Sequence, residues 1–460
     1  MTLFSAVTAM SSNRWAWFLA ALVASPLGGL WSRPAMAKAG PAFSFPVHEK
    51  TLPNGLHIAV VNYDSPGLAA YYSIVRTGSR NEVEPGKSGF AHFFEHMMFR
   101  GTELYSQEDY NDVITSIGAD SNAYTSDDLT VYHTLAGKAA LPKIIEIEAD
   151  RFRNLKYSQA DFQKEARAVL GEYNKNASNP VEKMTETLCD QAFSVHTYKH
   201  TTMGFLKDIE DMPNQFAYSL QFFDRYYRPD NVTLLIVGDV DADAIFPLIE
   251  KHYGDWKPGP SRPPVPAEPP QTKECRAEQK WNSPTLPMLM VGFHTPAFST
   301  KNVDLPALDV LSELLFAERA PLYKRLVITD QLVESLSGSA DPHVDPNLFT
   351  VLARIKKPQD VPRVEAAIHD EIRRIGRDGV DDKTLAQVLS HVKYAFAARL
   401  STADRAADTA AAFIALTGSV SSINEYFALY DTVTSADVKR VAQTYFAPTN
   451  RTVVTLTAAK

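Results

Sequence analysis

Cysteine is nearly absent. The 460 residues hold two, Cys189 and Cys275, and neither has metal-ligand spacing to another cysteine, which excludes a thiolate-ligated metal site. A disulfide and two separate thiols are both compatible with the sequence. Basic runs interleaved with aromatics are also missing. With a net charge of −8, this argues against nucleic acid or an anionic membrane as the main partner. Residues 1–37 contain no acidic residue at all. They carry Arg14, then an apolar run from Trp15 to Val23 loosely continued to Trp31, then the small-x-small stretch Ala35-Met36-Ala37. This is the pattern of a secretory signal peptide cleaved after Ala37. Pro26, Gly28 and Gly29 interrupt the apolar run before it reaches membrane-spanning length, so no span is expected after cleavage. No cysteine follows the run, so a lipoprotein is not expected. In a Gram-negative cell the mature chain would be periplasmic. Loss of Arg14 and Arg33 leaves 44 basic against 54 acidic residues, a mature charge of −10.

The composition that remains, 45% apolar and 22% charged, is that of a globular protein too long for one core. The stretch Pro258–Thr272, PGPSRPPVPAEPPQT, has seven prolines in fifteen residues. It cannot form helix or central strand and reads as a semi-rigid spacer between domains at 38–257 and 273–460. The two halves carry a repeat. Tyr226-Tyr227-Arg228-Pro229-Asp230-Asn231-Val232-Thr233 and Tyr445-Phe446-Ala447-Pro448-Thr449-Asn450-Arg451-Thr452 match at an offset of 219 residues, each an aromatic pair, a Pro-x-Asn turn and a β-branched strand. In the first half, strands are expected at about 56–61, 68–76 and 129–135. A helix is expected over 88–100, stopped by Gly101. Another starts at Ser158, with Asp161 three residues on as a capping box, and runs to about Asn174. Strands beside long helices predict an α+β fold with helices packed on one face of each sheet.

The helix at 88–100 reads Ser-Gly-Phe-Ala-His-Phe-Phe-Glu-His-Met-Met-Phe-Arg. It is apolar nearly all round, hence expected to be buried, yet it carries His92, Glu95 and His96. Three ionisable groups in a buried helix are costly unless something pairs with them, and a divalent cation would do so. His92 and His96 are four apart and leave one helical face. His-x-x-Glu-His is the inverted zinc-peptidase motif. A catalytic zinc needs a third ligand, and Glu172 is a candidate. By spacing alone, Glu165 and Glu172 read equally well as solvated carboxylates on the helix from Ser158.

The stretch Gly89 to Thr102 resembles the pitrilysin family, which includes insulysin and the mitochondrial processing peptidase. The resemblance continues through Gly118–Thr125, Tyr132, Phe162–Glu172, His196-Thr197-Tyr198, Gly204 and the Pro229-Asp230-Asn231 strand, and is stronger in the first half. It implies a zinc metallopeptidase with one Zn2+ per chain. His92, His96 and Glu172 would hold the metal and Glu95 would be the general base. Glu165 would be a second carboxylate supporting catalysis. Asn122 and Ala123 would lie on an edge strand that holds an extended peptide. It also implies two homologous α+β domains with mostly antiparallel sheets, together forming half of a clamshell.

The second half departs from the first in lacking His-x-x-Glu-His; its corresponding helix, around Asp309–Phe316, has no histidine. Many relatives carry an Arg and a Tyr seven residues apart in the segment matching Leu322–Ser335, where this chain has Val327 and Glu334; Tyr323 and Arg325 stand nearby in the wrong order and spacing. The expectation is the zinc-bearing subunit of a heterodimer whose homologous partner supplies that pair. The alternative is a non-catalytic scaffold or peptide-binding subunit.

Overall fold

The computed structural model describes residues 40–459; the expected signal peptide lies outside the described residues. The chain from Pro41 onward forms one compact unit. Among the described residues eleven strands make two sheets: β1 (Val47–Thr51), β2 (His57–Asn62), β3 (Leu68–Val75), β4 (Asp120–Thr125), β5 (Thr130–Gly137) and β6 (Val232–Gly238) in the first, and β7 (Cys275–Trp281), β8 (Met288–His294), β9 (Val333–Ala340), β10 (Leu348–Ile355) and β11 (Arg451–Ala458) in the second. The helices of the first half are α1 (Phe90–Met97), α2 (Gln107–Ser116), α3 (Leu141–Asn154), α4 (Gln159–Asn176), α5 (Pro180–Ala192), α6 (Leu206–Asp211), α7 (Phe216–Tyr226) and α8 (Ala242–Tyr253). Those of the second are α9 (Asp304–Phe316), α10 (Pro321–Tyr323), α11 (Val361–Asp378), α12 (Asp382–Ala398), α13 (Ala403–Thr417), α14 (Ser422–Leu429) and α15 (Ser435–Tyr445).

The sheet orders are β1-β2-β6-β3-β5-β4 and β7-β11-β8-β10-β9. In each sheet one pair is parallel, β2 with β6 and β7 with β11, and the other pairs are antiparallel. The second sheet therefore repeats the first without β1. The repeated Pro-x-Asn turn closes the same way in both halves. Asn231 Nδ2 donates to Tyr226 O at 2.9 Å and Asn450 Nδ2 to Tyr445 O at 2.7 Å.

Each sheet carries its own half's helices on one face, as expected. The other face is covered by a helix of the opposite half. On the first sheet, Ala59, Val61, Ala70, Tyr72, Leu235 and Val237 share a core with α13, whose Ala406, Ala407, Ala410 and Ala411 are fully buried. Small side chains bring that helix close to the strands. On the second sheet, Met184 and Leu188 of α5 pack on Met288, Met290, Val454 and Leu456. Coverage of both faces explains why β6, VTLLIVG, is buried at every position.

The halves are also joined by polar contacts. The turn after β4 meets the loop between β9 and β10. Asp127 Oδ2 lies 3.2 Å from His343 Nε2, and Val344 N donates to Asp128 Oδ2 at 3.1 Å. Arg80 Nε donates to Asp345 Oδ2 at 2.6 Å, and His196 Nε2 lies 2.9 Å from the same oxygen. Residues 258–272 form neither helix nor strand, yet they are pinned down. The Glu268 carboxylate accepts the backbone N–H groups of Ser194, Val195 and His196 at 2.7–2.9 Å. Cys189 and Cys275 are both free thiols. Among the described residues, no single helix is long and apolar enough to cross a membrane.

Candidate metal centre

Helix α1 is shorter than the 88–100 expected from its pattern, and its start explains why. Gly89 is left-handed at φ 89°, and a Cβ there would meet Met203 O at 2.9 Å. Ser88 turns away, its hydroxyl donating to Asp208 Oδ2 at 2.6 Å. The buried Glu82 carboxylate caps the helix, accepting Gly89 N and Ala91 N at 2.6 Å each. It thereby satisfies orphan donors and opposes the positive end of the helix dipole. Phe90, Phe93, Phe94 and Met97 bury the rest of the helix against Tyr218, Phe162 and Phe222.

Helix α4 crosses this helix, opened by the expected capping box: Ser158 Oγ accepts Asp161 N at 3.1 Å, and Asp161 Oδ2 accepts Ser158 N at 3.3 Å. Glu165 and Glu172, two turns apart, lie on the side facing α1. Glu172 Oε2 stands 3.7 Å from His92 Nε2 and 3.5 Å from His96 Nε2. The three donor atoms all lie within 4.8 Å of one another. Ligands held at ~2.0–2.2 Å around one tetrahedral zinc stand ~3.3–3.6 Å apart, so two imidazole nitrogens and one carboxylate oxygen fit a zinc ion and leave a position open.

The surroundings tune the two histidines. Burial, reinforced by the neighbouring His96, pushes the His92 imidazole down to about 3, so it is a neutral ring. Burial also works against a proton on His96. The hydrogen bond to Glu165 and the carboxylates of Glu95, Glu165 and Glu172 outweigh it and raise the ring above the usual histidine range. Glu165 Oε1 accepts from His96 Nδ1 at 2.8 Å, while its other oxygen pairs with Arg100. Despite burial, those two partners hold Glu165 below the usual carboxylate range. Glu165 thus bonds the far nitrogen of a histidine and is not one of the three clustered donors.

Glu95 leaves the same helix beside His96. Its Oε2 accepts the Thr125 hydroxyl at 2.7 Å, and burial raises its pKa. Thr125 ends β4, the edge strand that contains Asn122 and Ala123. Alternation along β4 puts Ala123 and Thr125 on the α1 face and Asn122 and Tyr124 on the α13 face, where Tyr124 donates to Asp408 Oδ1 at 3.2 Å. The Asn122 side chain is therefore directed away from the histidines, and its Oδ1 accepts the N–H of Ala123 at 2.9 Å.

Glu82, Arg100 and Thr125 were not singled out in the sequence. Arg100, four residues after His96, had a helical signal; the other two had none.

Comparisons with known proteins agree with this architecture. A family model described as Insulinase (Peptidase family M16) matches residues 61–205, and one described as Peptidase M16 inactive domain matches residues 218–391. The chain belongs to the M16 peptidase family. The M16 relatives include a protein named zinc protease PqqE from Helicobacter pylori, 27% identical over 89% of this chain and 93% of its own length. A probable mitochondrial-processing peptidase subunit beta from Schizosaccharomyces pombe is 30% identical over 45% of each chain. A crystal structure of a protease from Helicobacter pylori superposes with a TM-score of 0.84 at 26% identity, covering 90% of this chain and 99% of that one. The inactive-domain match begins in α7 of the first half and runs through α9, which carries Leu311, Leu314 and Leu315 and no histidine.

Proposed function

We propose that this chain is a zinc metalloendopeptidase acting on peptides or unfolded segments, with His92, His96 and Glu172 as ligands and Glu95 as general base. The observation that carries this reading is the convergence of the two Nε2 atoms on Glu172 Oε2 at 3.5 and 3.7 Å, one helical step from Glu95. When bound there, zinc would supply a Lewis acid for the scissile carbonyl and for water. Glu95 accepts the proton of the attacking water and delivers it to the leaving nitrogen. Glu165 keeps the His96 ring in the orientation that turns Nε2 inward. The edge of β4 receives an extended segment through main-chain hydrogen bonds, so side-chain identity is only loosely read.

The chain is exported by its first 37 residues and works in the periplasm of a Gram-negative cell, as the heterodimer subunit that carries the metal. Support for a partner is Glu334, which lies exposed on β9 and pairs with Arg354 at 3.0 Å, and Val327, which packs into the second-half core. Neither can play the part of the Arg and Tyr of relatives. Cleavage of an unstructured peptide by the mature chain, with and without chelator and beside Glu95→Gln, is the test. Chelator-sensitive cleavage lost in the variant supports the peptidase. If the chain alone is fully active, the partner is unnecessary; if it binds no zinc, the metal site fails.

A further inference from the structure

The strand offered to a peptide and the residue offered as base are joined directly. We infer that the Thr125 hydroxyl positions Glu95, holding its carboxylate in one orientation toward the space between His92, His96 and Glu172. Thr125 Oγ1 donates to Glu95 Oε2 at 2.7 Å, and Oε1 accepts nothing from the described residues. A glutamate has three rotatable bonds, and on a helix whose neighbours are aromatic it has few other polar anchors. Threonine suits the task because its branched Cβ stiffens χ1. Its backbone is itself fixed: β4 pairs with β5 over six residues, Thr125 opposite Thr130. The Thr130 hydroxyl donates to Thr77 O at 3.0 Å, and its oxygen, 3.4 Å from Thr125 Oγ1, is a more distant acceptor for the Thr125 proton than Glu95 Oε2 at 2.7 Å.

The next residues strengthen the anchor. Ser126 N donates to Leu129 O at 2.8 Å, closing the turn, and Asp127 and Asp128 in that turn bind His343 and Val344 of the second half. Thr125 thus stands between an edge strand and a cross-linked turn, and both limit its movement. Thr125 does not touch a ligand atom, so its loss leaves the zinc donors in place. Its effect falls on how often Glu95 is correctly oriented, which enters kcat and not KM.

The kinetic arm of the test rests on the peptidase reading above, so it is paired with a structural arm that does not. Crystal structures of the wild-type chain and Thr125→Val, each without metal, should show Glu95 in one rotamer in the first and displaced or split among rotamers in the second. An unmoved Glu95 overturns the proposal whether or not the chain cleaves peptides. In the kinetic arm, Thr125→Val should lower kcat by up to about 100-fold, the order of loss that follows misplacement of a reacting group by about 1 Å. KM, zinc stoichiometry and Tm should stay near the wild-type values, and Thr125→Ser should restore kcat. Equal loss in Thr125→Ser, or loss that tracks Tm, overturns the proposal. If Thr125→Val does not fold, Thr125→Ala against Thr125→Ser makes the same comparison in both arms. A wild-type chain that is inactive with zinc bound counts against the peptidase, while the Glu95 rotamer still decides the role of Thr125.

Discussion

Glu165 Oε1 accepts a hydrogen bond from His96 Nδ1 at 2.8 Å, and this contact determines which nitrogen of His96 faces Glu172. Arg100 on the other oxygen keeps Glu165 ionised, so the carboxylate is an acceptor and His96 must donate. Glu165→Ala is expected to reduce zinc affinity or kcat about 10- to 100-fold. Glu165→Gln, which keeps an acceptor oxygen but loses the charge, should fall between it and the wild type. Zinc titration against a fluorescent chelator and steady-state kinetics measure the two quantities separately.

The base proposed at Glu95 is separable from the proposed zinc site. Glu95 donates no atom to the three-donor group, so Glu95→Gln should retain about one zinc per chain. Peptide cleavage should fall by about 10²–10⁴-fold, the contribution expected of a positioned base. A variant that loses metal together with activity would instead make Glu95 a ligand.

Metal binding should be visible in stability. A ligand that binds only the folded chain adds about 2.7 kcal/mol when free at a hundred times its Kd. Zinc should therefore raise the Tm of the metal-free wild type and have no such effect on His92→Ala or Glu172→Ala. An equal rise in all three proteins would place the ion elsewhere.

Much of this centre was legible in sequence because its signals are local. His92 and His96 are four residues apart on one helix, and Ser158 and Asp161 cap the next with side chains three residues apart. The Pro-x-Asn turn shows itself twice at a fixed offset. What escaped detection depends on contacts between distant parts of the chain. Glu82 caps α1 across a loop whose path no periodicity reveals, and Thr125 reaches Glu95 only once β4 has paired. The covering of each sheet's second face by α5 and α13 joins residues from about one hundred to about three hundred and fifty positions apart. The alanines of α13 look merely like good helix formers until the sheet they press against is seen. Glu165 was placed near the chemistry by resemblance, but its hydrogen bond to His96 and its pairing with Arg100 are visible only in the structure.

Breaking a buried ion pair beneath the site should cost stability. Arg151 of α3, 3% exposed, donates to Glu148 at 2.5 Å and lies 4.8–5.1 Å from the ring centres of Phe99, Tyr110 and Tyr132. Arg151→Met fills the space but strands the Glu148 charge, so a loss of about 3–5 kcal/mol is expected by denaturant unfolding. Replacing Glu148 at the same time, as Glu148→Gln/Arg151→Met, should recover part of that loss. A double variant no more stable than the single one would show that packing around the guanidinium, and not the stranded charge, dominates.

The joint between the halves should make stability depend on pH in a definite direction. Burial works against a charge on His343, but the hydrogen bond to Asp127 and the carboxylates of Asp128 and Asp341 prevail and lift it to about 9. Its folded pKa thus exceeds the unfolded value near 6.5. A proton held more tightly by the folded chain stabilises it fully below about 6.5, and that contribution fades as pH rises through 9. Asp345 has the opposite sign. The hydrogen bond from His196, with Arg80 also helping, holds it at about 2 against burial, so its contribution is present above the ordinary aspartate range and lost as pH falls toward 2. Between pH 7 and 10 only the first contribution changes. Tm should decline over that interval in the wild type and decline less in His343→Gln, which can still hydrogen-bond Asp127 but carries no titrating proton. Identical slopes for the two proteins would mean that the Asp127–His343 contact does not couple the two halves of the chain to pH.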